Sequence, residues 1–471
     1  MSVRVFYLGM AVVLAGCGNS VLPVAAPSNL VSLPKAVCGA GSNPETGMQG
    51  RVPKADYDSG RAAKGYTCNT TMISNFPTAN PTGTVGGFKV ERYTDKAGHD
   101  CAYYDTTLLY PTNAGDGQSG VNVMDMSDPA NPRMTARLVT GAMQSPHESL
   151  VLSKEAGVLA AVLGNASFGP GVVDVYSLEP DCRNPQVRAS APVGTLGHES
   201  GLSLDGKTFY SASPGTPTLT AVDISNPSLP VPLWRGDFMS HGLSVSNDGN
   251  RIYIAGGDGA GVRILDVSEI QARKGNPQVK VISSLSWPNK TIPQNAIPFT
   301  RNGRAYLVEI DEYSSNSSGG SGASSVASNG AIVGAGRIID IQDETKPFVV
   351  SDLRLEVHDP KNRAAIAGDP GANLPVQGYA GHYCNIPSRI NPDIVACSMI
   401  ASGLRIFDIR NPAQPREIAY FIPPIKPRVT PGFDASAWAM SSPSFVPERK
   451  EIWYSDGYGG LYVVRVTNGV W

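Results

Sequence analysis

The stretch GLRIFDIRNPAQP at 403–415 sets the terms for the whole chain, because weaker copies of it recur along the sequence. Each copy is an alternating apolar strand that ends in Asp and runs into a Pro-bearing turn. It returns as GVNVMDMSDPANP at 120–132, LTAVDISNPSLP at 219–230, GVRILDVSEIQARKGNP at 261–277 and RIIDIQDETKP at 337–347. GVVDVYSL at 171–178 and GGLYVVRV at 459–466 keep the strand but carry Tyr176 and Arg465 where the Asp would stand. The seven reference positions, Asp125, Tyr176, Asp223, Asp266, Asp340, Asp408 and Arg465, are separated by 51, 47, 43, 74, 68 and 57 residues. A unit of that length, rich in period-two alternation and turn residues, is a four-stranded blade rather than a strand–helix–strand unit. The predicted fold is therefore all-β, a seven-bladed β-propeller over 84–471.

The middle units carry a further alternating strand after the turn, as at 133–139 (RMTARLV), which would be outermost in its blade. The last unit has none, while FKVERY at 88–93 precedes the first unit as a spare. We expect 88–93 to serve as the outer strand of the seventh blade and so to close the ring, leaving no free edge between the first and last blades.

Ahead of the ring, Arg4, the apolar run 5–15 and LAGC at 14–17 form an export signal too short to span a bilayer. LAGC is similar to the lipobox of bacterial lipoproteins, in which the Cys is lipidated. The expected organisation is a signal at 1–16, a tether and irregular disulfide-pinned segment at 17–83, and the propeller beyond. It places the protein in the cell envelope or periplasm, with membrane contact through lipidated Cys17 only. Six cysteines remain, Cys38, Cys68, Cys101, Cys182, Cys384 and Cys397, and six allow three disulfides in 15 connectivities. Cys384 and Cys397 fall in successive strands of one unit and form the favoured pair; Cys101 is expected to tie into the N-terminal disulfide region. With 38 Lys and Arg scattered against 40 acids, nothing resembles a nucleic-acid groove.

The histidines carry the functional signal. His99, His147, His198, His241 and His382 lie 26, 29, 25, 25 and 26 residues before the reference positions of their units. Five of the six histidines thus share one repeat position, with Asn295 and Trp438 near that slot in the other two units. A residue opening the first strand of a blade faces the central channel, so a ring of imidazoles there offers nitrogen ligands to Fe, Mn, Cu or Zn. The competing reading is architectural: each imidazole bonds the neighbouring blade's backbone, and duplication has multiplied it. Glu148 and Glu199 follow histidines and should face away from the ring toward the blade interface. Glu309, Asp311 and Glu312 follow a strand of the unit that lacks the His and stand in for it, or are solvated. His358, in an insertion at 353–380, reads as a surface or cap residue, and the Ser/Gly run 314–330 has little to pack. No phosphate loop, HExxH or GxSxG motif is present.

The units GVRILDVS and GLRIFDIRNPAQPREIAYF resemble the LVIVD-repeat family of exported bacterial propeller proteins, over roughly 84–471. The resemblance implies an extracytoplasmic seven-bladed β-propeller and no settled activity. Two functions follow. In one, a metal-dependent enzyme of oxidoreductase or lyase/hydrolase type acts on a small apolar substrate in a His-lined channel, with Glu199 or Glu309 orienting it or accepting protons. In the other, a lipid-anchored scaffold binds an envelope protein or glycan.

Overall fold

The protein is described by a computed structural model over residues 31–77, 87–106, 119–164, 171–195, 197–313, 333–373, 378–425 and 436–471; the signal stretch, Cys17 and the Ser/Gly run lie outside the described residues. Seven separate antiparallel sheets make up the fold. Their first strands are Val90–Thr94, Val151–Ser153, Gly201–Leu202, Gly242–Val245, Ile292–Arg301, Tyr383–Asn385 and Ser444–Val446. These strands pack side by side around a central axis, and a bridge between Lys89 and Ser442 joins the first blade to the last. We number the blades 1 to 7 in that order.

The repeated Asp has one local job. In Asp125, Asp223, Asp266, Asp340 and Asp408, Oδ1 accepts the backbone N–H two residues on, at 3.0, 2.9, 2.9, 2.9 and 3.0 Å. This turns the chain from the third strand into the loop before the fourth. Arginines stand beside each: Arg133, Arg273, Arg251 and Arg304 in turn, then Arg410 and Arg416 together at Asp408. Where the Asp is missing the pairing changes, with Tyr176 Oη 2.8 Å from Thr140 Oγ1 and Arg465 on Glu451 at 2.8 Å.

The core sits between blades rather than within any one of them. Tyr210 and Leu219 of blade 3 pack on Leu243 and Ile252 of blade 4, and Ile394 and Leu404 of blade 6 pack on Ile452 and Val464 of blade 7. The ring is completed by the same contact, with Val90 and Tyr104 of blade 1 against Trp453 and Val463 of blade 7.

The expected role of 88–93 is overturned. Val90–Thr94 pairs with Asp100–Asp105 as the first strand of blade 1 and is not an outer strand of blade 7. The strand beside Gly460–Val466 is Thr70–Phe76, and Tyr66–Cys68 lies beside Arg416–Ile422 of blade 6 as a fifth strand. The segment read as irregular therefore contributes two strands. Its polar sequence TTMISNF hid them, because an outer strand buries little and so need not alternate. Asn69 joins the two strands at φ 52°, and its amide donates to Val37 O at 2.9 Å and Ile418 O at 2.8 Å.

The disulfides are Cys38–Cys68, Cys101–Cys182 and Cys384–Cys397. The last is the pair expected from the strands. Cys101 does not join the N-terminal region; it ties blade 1 to the loop after the third strand of blade 2, where Cys182 N donates to Asp95 Oδ2 at 3.0 Å. The insertion folds into short helical turns, including Glu356–His358 and Arg363–Ile366. It packs on the N-terminal segment through Arg51 and Asp369 at 2.7 Å.

Replacing Cys101 and Cys182 by Ser, which opens a loop with a sequence separation of 81, should cost about 4 kcal/mol by loop-closure entropy; a denaturation midpoint equal to wild type would contradict this. Burial opposes ionisation of Asp408, yet Arg410 and Arg416 outweigh it and hold the carboxyl below its ordinary value. Its contribution is then present above the unfolded pKa of about 3.9 and lost as pH falls through the lower native value. Asp408→Ala should be less stable than wild type by about 1 kcal/mol at neutral pH, and the difference should begin to shrink near about pH 4 and disappear only below the lower native value in paired melts.

Candidate metal centre at the axis

Four of the predicted ligands meet. His147, His198, His241 and His382 stand just before the first strands of blades 2, 3, 4 and 6. Their ring centroids are 4.6 Å apart for His147 and His198 and 4.4 Å for His198 and His241. Phe88, in the corresponding place of blade 1, packs its ring 4.5 Å from His147 and 5.6 Å from His382. Local backbone makes the approach tight: His147 adopts φ 52°, and a Cβ on Gly164 would lie 2.3 Å from the His147 Cβ.

Outward hydrogen bonds fix how two rings present their inner nitrogens. His241 Nδ1 donates to Pro293 O at 2.9 Å and His382 Nδ1 to Met440 O at 2.6 Å. A carbonyl only accepts, so both rings carry a proton on Nδ1 and turn Nε2 toward the axis. His241 Nε2 is 2.9 Å from His198 Nε2, and two such atoms at that distance need a proton or a cation between them. Burial, with His198 nearby, pushes the His241 pKa down to about 3, so a proton at this contact is donated by His198 Nε2.

Two carboxylates enter the same group. Glu148 Oε2 is 3.0 Å from His198 Nδ1, and Oε1 is 3.1 Å from His382 Nε2 and 3.7 Å from His147 Nε2. Glu312 Oε1 is 3.2 Å from His241 Nε2, and Oε2 is 3.5 Å from His382 Nε2. Both acids are buried. Burial alone would raise the Glu148 carboxyl, but His198 and His147 hold it well below the usual range. Ligand atoms of His147, Glu148 and His198 lie within 4.8 Å of one another, a spacing that suits a metal ion. The donor set of imidazoles and carboxylates fits Fe, Mn, Cu or Zn. A transition-metal site is thus consistent with the structure.

A second polar layer lies beneath. Gln294 donates to Glu148 and, at 3.0 Å, to Tyr383 Oη. Lys89 Nζ is 2.5 Å from Glu199 Oε1 and 4.4 Å from the Tyr383 ring centre, and Asn295 donates to the same Glu199 oxygen at 2.5 Å. Burial, partly offset by Lys89, pushes Glu199 up to about 7. Lys89, Glu199 and Asn295 line the head of a cavity of about 520 Å³ that continues past Leu243 and Ile297 to Arg389 and Ile390. None of the four imidazoles lines it.

Other predicted residues lie elsewhere. His99 precedes the second strand of blade 1, with Nδ1 2.8 Å from Asp95 Oδ2 and 3.8 Å from Asp181 Oδ1. Those three residues form a separate group of metal-ligand type. The counting placed His99 in the ring because residues 106–120 lengthen blade 1 between its second and third strands. Glu309 is fully buried in an ion pair with Arg337, which also holds Asp311 at 2.9 Å and lies over Trp287. Burial drives the Glu309 carboxyl well above its ordinary value despite Arg337, and the residue does not reach the imidazoles. Trp438 packs edge-on against Tyr458. In blade 5 the residue before the pairing of Asn295 with Ile310 is Gln294, one place from the residue expected. His358 is a cap: its Nδ1 accepts from Leu355 N at 3.1 Å and its Nε2 donates to Tyr379 O at 2.9 Å.

Glu148 corrects the expectation most. It was expected to turn from the ring by strand alternation, but the first strand of blade 2 begins only at Val151, so alternation does not govern 147–148. Phe88, Lys89 and Gln294 went unread, since no His marks their repeat position.

Removing Lys89 leaves Glu199 buried beside no cation. Lys89→Met should destabilise the fold by about 3–5 kcal/mol, and Lys89→Met with Glu199→Gln should recover much of the loss; strict additivity in a denaturant double-mutant cycle would contradict the pairing.

The LVIVD repeat family model matches residues 213–233, within blade 3. No curated protein matches the chain. Among solved structures, a crystal structure of the mitotic checkpoint complex is similar at 10% identity and TM-score 0.49, over 84% of this chain and 95% of that one. Kuenenia stuttgartiensis hydrazine synthase is similar at 12% identity and TM-score 0.48, over 82% and 97%. The chain thus carries a short LVIVD-repeat motif within a seven-bladed β-propeller.

Proposed function

We propose that this protein is an exported metalloprotein whose axial centre binds a transition metal through His147, His198, His241 and His382 with Glu148 and Glu312. The observation that carries the reading is the 2.9 Å approach of two imidazole Nε2 atoms beside two buried carboxylates. A purely architectural His would turn its nitrogens to the neighbouring backbone and stop there. His241 and His382 do so with Nδ1 only, leaving Nε2 inward. A transition ion in this place supplies Lewis acidity or redox chemistry to a small molecule. Glu199 then serves as a proton-accepting group in the cavity wall, and Leu202, Leu243 and Ile297 give that cavity an apolar wall suited to a small apolar substrate. Three disulfides support placement outside the cytoplasm, and lipidation at Cys17 remains part of the proposal. Among the described residues no helix is long and apolar enough to cross a membrane.

Elemental mass spectrometry of exported protein, purified without affinity histidines or chelators, tests the reading. Fe, Mn, Cu or Zn should be near-stoichiometric in wild type and fall at least tenfold in His198→Ala and His241→Ala. Metal-free protein after supplementation with all four would sink it.

A further inference from the structure

Resting on that reading, we infer that a single ion is bound directly by His147, Glu148 and His198 alone, and that His241 is a positioning residue that turns His198 Nδ1 toward it. Ligand atoms of those three residues are mutually within 4.8 Å, and among the described residues no other axial set of three meets that spacing. The contact between His198 and Glu148 points the same way. His198 Nδ1 stands 3.0 Å from Glu148 Oε2, yet this buried nitrogen makes no hydrogen bond. A simple ion pair would align the N–H with the oxygen. Two donors on one ion also lie about 3 Å apart, but their bonds of about 2.0–2.1 Å point at the ion and not at each other.

The tautomers agree. His241 Nδ1 donates to Pro293 O, which leaves its Nε2 to accept from His198 Nε2 at 2.9 Å. With its proton placed there, the neutral His198 ring keeps a lone pair on Nδ1. That lone pair faces a carboxylate oxygen, and a cation between them turns repulsion into coordination. His147 Nε2, 3.7 Å from Glu148 Oε1, supplies the third donor. The other axial groups act through these three. His382 Nε2 lies 3.1 Å from Glu148 Oε1 and Gln294 donates to Oε2, so both carboxylate oxygens are held. Glu312 touches His241 and His382. Two imidazoles and one carboxylate leave an ion of about four to six positions at least one place for water or a small oxygen-donor ligand, as in reactive metal sites. The side chains of His147 and His198 are 11% and 19% exposed, against 6% for His241 and 1% for His382, so the ligating pair is the more open to solvent.

The test loads wild type with Mn, Fe, Cu and Zn salts in turn and reads X-ray absorption fine structure at whichever metal binds. One ion per chain with two imidazoles is expected, its remaining neighbours being oxygens. His147→Ala should weaken binding at least tenfold and leave one imidazole. In His241→Gln the new amide oxygen still accepts from His198 Nε2, so both imidazoles should stay and affinity should remain within about tenfold of wild type, while His241→Ala falls further. Should a variant fail to fold, the wild-type spectrum still decides. More than two imidazoles or a second ion in wild type, or an imidazole lost in His241→Gln, would overturn the three-ligand assignment and leave the metal reading intact; no ion with any of the four metals would overturn both.

Discussion

Each sheet of this protein is apolar on both faces and can bury them only against other sheets of the same kind. That requirement governs everything else. A blade standing alone would expose residues such as Leu219, Ile252 or Trp453, which are buried only because a neighbour lies across them, so the blades stabilise one another in a ring or not at all. The ring then brings seven strand starts to one axis without any sequence proximity. Residues as distant as His147 and His382 become neighbours through symmetry of the fold rather than through a local motif.

The axis also explains why so many charged groups are tolerated in the interior. Glu148, Glu199, Glu312 and Lys89 lie among buried groups, and each is met by a partner from a different blade. The Glu199–Lys89 pair links blades 3 and 1, while Glu312 reaches from blade 5 to His241 and His382 of blades 4 and 6. Such cross-links act on the register between blades, where apolar packing alone is permissive.

How much of this could be read in advance differs by element. The strand-Asp-turn unit was legible because its Asx turn demands an Asp at one place, and the fold followed from its repetition. His198, His241 and His382 were legible because the repeat fixes their distance from that Asp. His99 was misplaced and Phe88 missed for one reason: the long link inside blade 1 broke the count on which both depended. Thr70–Phe76 escaped because an outer strand buries too little to impose alternation. Glu312 was legible as one of three acids that stand in for the missing His of its unit, and it alone of the three reaches the imidazoles; the role of Glu148 needed three dimensions, since its partners come from other blades and no spacing in the chain announces them.

The pairing of Thr70–Phe76 with Gly460–Val466 has a bearing on how the molecule comes to exist. An early-made strand finds its hydrogen-bond partner only when the last sheet has been synthesised. Until then its backbone donors and acceptors are met by water, and the apolar surface of blade 1 that will face blade 7 has nothing to cover it. Topologies of such long sequence separation fold slowly and leave sticky intermediates. The nascent chain is thus an open arc with two adhesive ends, for which another chain in the same state is a competing partner until its own seventh blade arrives.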